Sequence, residues 1–326
     1  MVEKNIKIIM DNIDVVITYV NYEDEIWRDQ FIREKNKYNR NLSSNSINEC
    51  RFRDWGTLKY VLRSIDKFAP FVNNVFLVVQ MESQIPKWLN RETVKIVLHE
   101  EFIPEEVLPT YSSCAIEMYL HLIPGLSEKF IYFNDDMILW NPHKPEDFFI
   151  EDKCINSLKL FNEDNYYEQS EDKLYGYINK QSTSLPNKLF DKNNPCYYTT
   201  HNVSSFLKSI NAELYNQITN DIKNKSYQFR CNDSITQYMY IEYSILKNRC
   251  INITGTSSLV GGLEKGTNIF RNIYYLLNSQ IKQICINDKQ IDMDKNTNIS
   301  ISNIINTLNI KFQKTCKYEC SVSIND

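Results

Sequence analysis

Lys129-Phe130-Ile131-Tyr132-Phe133-Asn134-Asp135-Asp136-Met137 changes character halfway along its length. Its first half is a run of apolar and aromatic residues, the composition of a buried strand. Its second half is an amide followed by two adjacent carboxylates. A strand that ends in Asn-Asp-Asp delivers those side chains to the carboxyl edge of a sheet, where open α/β folds place their ligands. Neighbouring carboxylates repel each other unless a proton or cation lies between them, and hard oxygen ligands suit Mg²⁺ or Mn²⁺. A solvated loop after a strand has the same composition, so the surrounding sequence must decide between the two.

Working outward, Asp14-Val15-Val16-Ile17-Thr18-Tyr19-Val20-Asn21 is a first β-branched strand, and Val75–Gln80 and Val94–His99 are two more. Between the first two, Leu58, Val61, Leu62 and Ile65 recur at helical spacing. Alternating strands and helices predict a Rossmann-like α/β fold, a mostly parallel sheet flanked by helices. Residues 36–50 are polar and expected as a mobile loop. Arg51, Arg53 and Asp54 fall just before the helix, a position that favours anions and capping carboxylates. Capping alone accounts for Asp54. Ile85-Pro86-Lys87-Trp88-Leu89 reads as a turn with an aromatic plug.

Glu117 and His121 lie four apart on a helix expected to run to about Leu122, hence on one face. Packing can bring Glu117 to the carboxylates, or the two residues form a surface pair. The weakly periodic, polar segment 151–195 reads as an insertion, a helical lid. It divides the chain into 1–150, the N-terminal part of the catalytic domain, and 196–326, a C-terminal part that completes the site. In that last part a helix with Phe206, Ile210 and Leu214 on one face is expected, then one from Tyr238 to Leu246. The run Gln283-Ile284-Cys285-Ile286 again leads as an apolar strand into Asn287-Asp288, and a tail helix carries Ile301, Ile304, Ile305, Leu308 and Ile310 as its buried stripe.

Composition narrows the chemistry. A net charge of −4 argues against a nucleic-acid surface as the main function. No apolar run reaches 18 residues, and the opening segment has no signal-peptide pattern, so a cytoplasmic location is expected. The nine cysteines are odd in number and irregularly spaced, the pattern of reduced and mostly buried thiols, Cys285 among them. With only seven glycines there is neither a Walker A loop nor a Gly-x-Gly-x-x-Gly turn. Phosphate chemistry here must lean on a metal, Arg and Lys.

Four separated stretches resemble the conserved regions of the Stealth proteins, a family of capsular and exopolysaccharide sugar-phosphate transferases that includes the catalytic subunit of the lysosomal-enzyme N-acetylglucosamine-1-phosphotransferase. The first is Asp14 to Asn21. The second runs from Arg51-Phe52-Arg53-Asp54 through Leu108-Pro109-Thr110-Tyr111-Ser112-Ser113 and Ala115-Ile116-Glu117 to Asn134-Asp135-Asp136. The third runs from His201 through Phe229-Arg230 to Asp233, with Asn202-Val203-Ser204 where the family carries prolines. The fourth runs from Cys285-Ile286-Asn287-Asp288 through Phe312 to Glu319. The resemblance implies a glycosyltransferase-A-like fold and transfer of a sugar 1-phosphate from a nucleotide sugar to a hydroxyl of an oligosaccharide or polysaccharide acceptor. By matching motifs, Glu117, Asp136, His201 and Arg230 are the functional set.

Attack on a pyrophosphate phosphorus needs an activated hydroxyl, charge stabilisation and a neutralised leaving phosphate. Asp135 and Asp136 are the candidate ligands for Mg²⁺ or Mn²⁺. Arg230 offers a forked donor to equatorial oxygens. His201 is the candidate base, or a covalent phospho-histidine. Glu117 ligates metal, positions His201 or binds sugar hydroxyls. Asn21, Arg51, Arg53, Asp54, Asn134, Asn287 and Asp288 are candidate substrate contacts. Two other readings stay open, a metal-dependent glycosyltransferase that moves the sugar only and a non-catalytic glycan-binding protein. Peripheral membrane contact and oligomeric state are not legible.

Overall fold

The computed structural model describes residues 12–38, 42–160, 173–192, 197–199, 201–253, 258–262, 273–288 and 295–320. Its centre is a five-stranded sheet. Strands β1 (Ile13–Thr18), β2 (Val75–Val79), β3 (Val94–Leu98) and β4 (Lys129–Asn134) lie parallel in the order 4-1-2-3. The short strand β5 (Met137–Leu139) leaves that sheet. Next along the chain come β6 (Phe149–Ile150), β7 (Lys153–Asn156), β8 (Leu158–Leu160), β9 (Tyr197–Thr199) and β10 (Ser204–Leu207). They are followed by β11 (Cys250–Asn252), β12 (Ser258–Gly262) and β13 (Gln283–Asn287). Only β10 joins the central sheet, antiparallel to β4 at its edge. The α/β architecture matches the expectation.

Burial explains why β1 and β2 carry no alternation. β2 is buried at every position and β1 at all but Thr18, as befits a parallel sheet covered on both faces. One covering element is the helix Thr57–Phe68, whose Leu58, Val61, Leu62 and Ile65 are fully buried. Its N-cap is Gly56 in the left-handed region, not Asp54. Asp54 instead accepts the Gly56 N–H at 2.7 Å and shapes the turn. The buried Asp14 accepts hydrogen bonds from Asn73 Nδ2, from Asn74 N and Nδ2 and from Ser127 N, tying β1 to the loops before β2 and β4.

Several local expectations are corrected. Residues 42–51 include short helical turns at Ser44–Ile47 and Glu49–Arg51, and a helix at Glu25–Lys37 precedes them, residues 39–41 lying outside the described set. That helix seats Trp27 and Phe31 in a second, aromatic core with Phe52, Tyr111 and Phe229. The helix through Glu117 is short, Ser113–Glu117, and gives way to a tighter 3₁₀ turn at Leu120–Leu122. Three residues per turn rotate His121 away from Glu117. His121 packs against Tyr215 and Tyr240, ring centroids 5.0 and 5.6 Å apart. The two residues therefore form no surface pair. Phe206 lies in β10, and the helix begins after it, at Lys208–Gln217. On the tail helix Lys295–Lys311, Ile304 and Leu308 are buried but Ile310 is exposed.

Candidate active site

In-register pairing of Thr18 with Asn134 aligns the carboxyl ends of β1 and β4. Tyr132, buried on β4, locks that edge: its hydroxyl donates to Asn134 Oδ1 at 2.8 Å and lies 3.0 Å from Thr18 Oγ1. Asp135 and Asp136 occupy the turn immediately beyond. β13 pairs antiparallel with β5, and the Ile286 N–H donates to the Asp136 carbonyl at 2.9 Å. The Cys285 thiol, 3.4 Å away, donates to Asp136 Oδ2. Asp136 Oδ1 is buried and, among the described residues, has no hydrogen-bond partner.

Electrostatics mark the same turn. Burial, followed by the charges of Asp136 and Asp54, holds the Asp135 carboxyl well above the usual carboxylate range. Burial raises Asp136 to about 6, against the Cys285 hydrogen bond, which lowers it. Two acidic side chains in one turn, one with an orphaned oxygen, call for a positive partner.

A pocket of about 270 Å³ opens over this turn. Arg51, Arg53, Glu117, Asn134, Asp135, Asp136, His201, Arg230, Asn287 and Asp288 all line it. Asn21 and Asp54 do not. Asn21 caps its own turn, its Oδ1 accepting the Glu23 N–H and its backbone bonding Gln84. Asp54 lies behind the wall, accepting from the hydroxyl of the pocket residue Tyr19 at 2.7 Å.

The remaining walls come from distant parts of the chain. Glu117 is buried, and its Oε2 accepts from Thr236 Oγ1 and, at 3.0 Å, from the Gln237 N–H. Burial pushes its carboxyl up, while these bonds and the nearby Arg230 charge act in the opposite direction. Arg230 donates to Ser113 Oγ, one turn before Glu117 on the same helix. His201 has φ +52°, in the left-handed region. Its ring stacks on Tyr175, centroids 6.1 Å apart and planes within 15°.

Arg53 grips Asp288 with both prongs, Nε to Oδ2 at 3.0 Å and Nη2 to Oδ1 at 3.1 Å, and Trp55 Nε1 donates to the same carboxylate at 2.9 Å. Both ionic side chains are under a tenth exposed. This clamp fastens the end of β13 to the segment before the helix Thr57–Phe68. Tyr175, Tyr238, Trp55 and Cys285 are site residues that sequence reasoning missed or read only as core. Trp55, next to the quoted Arg51-to-Asp54 run, was within reach. Nothing local marks Tyr175.

The conserved region 2 of the Stealth proteins matches residues 51–157. A capsular polysaccharide phosphotransferase of Streptococcus thermophilus is 46% identical over 145 residues, covering 43% of this chain and 58% of the relative. A receptor polysaccharide phosphotransferase of Streptococcus oralis is 47% identical over 148 residues, 44% of this chain and 43% of the relative. These matches thus span about half the length of those curated relatives. An exopolysaccharide phosphotransferase of Lactiplantibacillus plantarum is 30% identical over 324 residues, covering 89% of this chain and 91% of the relative. Among solved structures, a galactosyltransferase in complex with donor and acceptor sugar analogs superposes on 93% of the chain with TM-score 0.41 and 12% identity, too loose a likeness to carry an argument.

Proposed function

This chain belongs to the Stealth family of capsular and exopolysaccharide phosphotransferases, and from that premise we propose that it transfers a sugar 1-phosphate from a nucleotide sugar to a hydroxyl of a glycan acceptor. The observation that carries the reading is that one pocket is lined by Glu117, Asp136, His201 and Arg230, although up to 113 residues separate them in sequence (230 − 117).

The acceptor oxygen attacks the sugar-linked phosphorus, the bond to the bridging oxygen breaks, and a nucleoside monophosphate leaves. His201 takes the acceptor proton. Arg230 stabilises charge on the equatorial oxygens, its guanidinium held by Ser113. Glu117, fixed by Thr236 and Gln237, balances Arg230 and binds donor sugar hydroxyls.

The carboxylates of Asp135 and Asp136 fit Mg²⁺ or Mn²⁺, on two counts: their shared turn and the orphaned Asp136 Oδ1. Among the described residues no third His, Cys, Asp or Glu completes a metal-binding group. The donor phosphates and water would fill the remaining positions, as is usual for Mg²⁺. When bound, the ion neutralises phosphate charge. Asn134, Asn287 and Arg51, which line the pocket, are the proposed donor contacts.

We also infer that the helix Lys173–Leu189, within the segment 151–195 read as a lid between the parts 1–150 and 196–326, covers the pocket, since Tyr175 reaches it from there; residues 161–172 and 193–195 of that segment lie outside the described set. No helix among the described residues is long and apolar enough to cross a membrane. The proposed setting is the cytoplasmic face of the membrane, with peripheral contact where the acceptor is lipid-linked.

The test is product analysis with a panel of nucleotide sugars and a short capsule-type oligosaccharide. Release of nucleoside monophosphate, lost in Asp136→Asn and His201→Gln, supports the reading. Release of nucleoside diphosphate with a product heavier by a sugar alone refutes it.

A further inference from the structure

His201 sits at an unusual place in the chain. Its backbone is in the left-handed region, and it follows a position outside the described residues and precedes β10. Its imidazole lies nearly parallel to the ring of Tyr175, on the separate helix Lys173–Leu189. The Tyr175 hydroxyl in turn hydrogen-bonds the Tyr238 hydroxyl at 2.5 Å. Tyr238 opens the helix Tyr238–Leu246, directly after Thr236 and Gln237, which hold Glu117. All six of these side chains line the pocket.

We propose that Tyr175 is a positioning residue: its ring fixes the plane of the His201 imidazole, and its bond to Tyr238 sets that plane relative to Glu117. A flat ring against a flat ring restricts rotation about the imidazole's side-chain torsions, which are otherwise broad and soft. The hydroxyl pair restricts where the tyrosine itself can sit. Proton transfer is sensitive to such orientation, because the accepting nitrogen must be within hydrogen-bond reach of the acceptor hydroxyl. Tyr175 thus acts through His201 and need not touch the reacting atoms. The role rests on the proposed part of His201 in phosphotransfer.

The experiment uses the full chain with ¹⁵N-labelled histidine, in wild-type, Tyr175→Leu and Tyr175→Phe forms. Only four histidines are present. His99, His121 and His143 are buried and provide internal references for the fold. In Tyr175→Leu the His201 ring resonances shift while the other three hold. Carbethoxylation of His201, followed by mass spectrometry, speeds up. The turnover number falls about tenfold, the rate equivalent of one aromatic contact, with the donor KM within about twofold. Tyr175→Phe keeps the stacked ring but loses the bond to Tyr238, and its turnover number falls between wild type and Tyr175→Leu. A His201 resonance unmoved in Tyr175→Leu overturns the proposal, as does a rate loss carried by KM alone. A wild-type chain that releases no nucleoside monophosphate refutes the phosphotransfer reading instead, and the resonances still decide whether Tyr175 holds the imidazole.

Discussion

Glu242 offers a test of the packing that is independent of the reaction. It lies on the helix Tyr238–Leu246 with 1% of its surface exposed, and among the described residues neither carboxylate oxygen meets a partner in good hydrogen-bond geometry. Asn187, on the helix Lys173–Leu189, is the neighbouring amide that draws its carboxyl down, and among the described residues the buried Asn187 Oδ1 has no donor. Burial raises the Glu242 carboxyl from an ordinary 4.5 to about 7. The sign follows from linkage: with the folded value above the unfolded one, protonation favours the folded state. That contribution is fully present below the unfolded value and is lost as pH rises through about 7. The difference between 4.5 and about 7 corresponds to about 3 kcal/mol between the two limits. Glu242→Gln removes the titration and supplies an amide donor for Asn187 Oδ1. An unfolding entropy of ~2.1 cal/mol/K per residue makes 1 kcal/mol worth roughly 1.5 °C in a chain this long. Calorimetry should therefore find Glu242→Gln about 4 °C above wild type near pH 8.5 and nearly level with it near pH 5. An equal difference at both pH values, or a less stable variant at high pH, would refute the account of this helix interface.

Other perturbations address the site and its frame. Arg53→Ala leaves Asp288 charged and buried, and urea denaturation should show a loss of ~3–5 kcal/mol. Adding Asp288→Ala should recover part of that loss in a double-mutant cycle. Mn²⁺ should raise the melting temperature of wild type and leave Asp136→Asn unchanged. The wild-type response should weaken as pH falls below about 6, where the Asp136 carboxyl takes up its proton. Phe31→Ala should cost ~3–5 kcal/mol by chemical denaturation, because that ring stacks on Trp27 and meets Phe52, Tyr111 and Phe229 edge-on or tilted.

The parts of this fold written in short-range patterns were legible. Apolar-rich runs marked β1 to β4, and apolar residues at i, i+3, i+4 and i+7 marked the helix Thr57–Phe68. The Asn134-Asp135-Asp136 turn was readable as the carboxyl end of a buried strand, and it lines the pocket. Elements buried on all sides were harder. Ser113 to Leu122 packs Cys114, Ala115, Ile116, Met118, Tyr119 and Leu120 inward together, so no stripe revealed the break that separates Glu117 from His121. Phe206 matched a helical period with Ile210 and Leu214 only because a buried strand runs straight into that helix. Long-range partners left no local trace. The Arg53–Asp288 pair spans 235 positions, and the Tyr175–His201 stack depends on how an insertion folds back.

The central claim is that phosphorus moves with the sugar. The most direct measurement uses a nucleotide sugar isotopically labelled at the sugar-linked phosphorus, incubated with the chain, Mg²⁺ and an oligosaccharide acceptor. ³¹P NMR and mass spectrometry then locate the label. The account requires the label in a phosphodiester on the glycan, with unlabelled nucleoside monophosphate released and no transfer by Asp136→Asn. Label retained in nucleoside diphosphate, beside a glycan extended by the sugar alone, would contradict it.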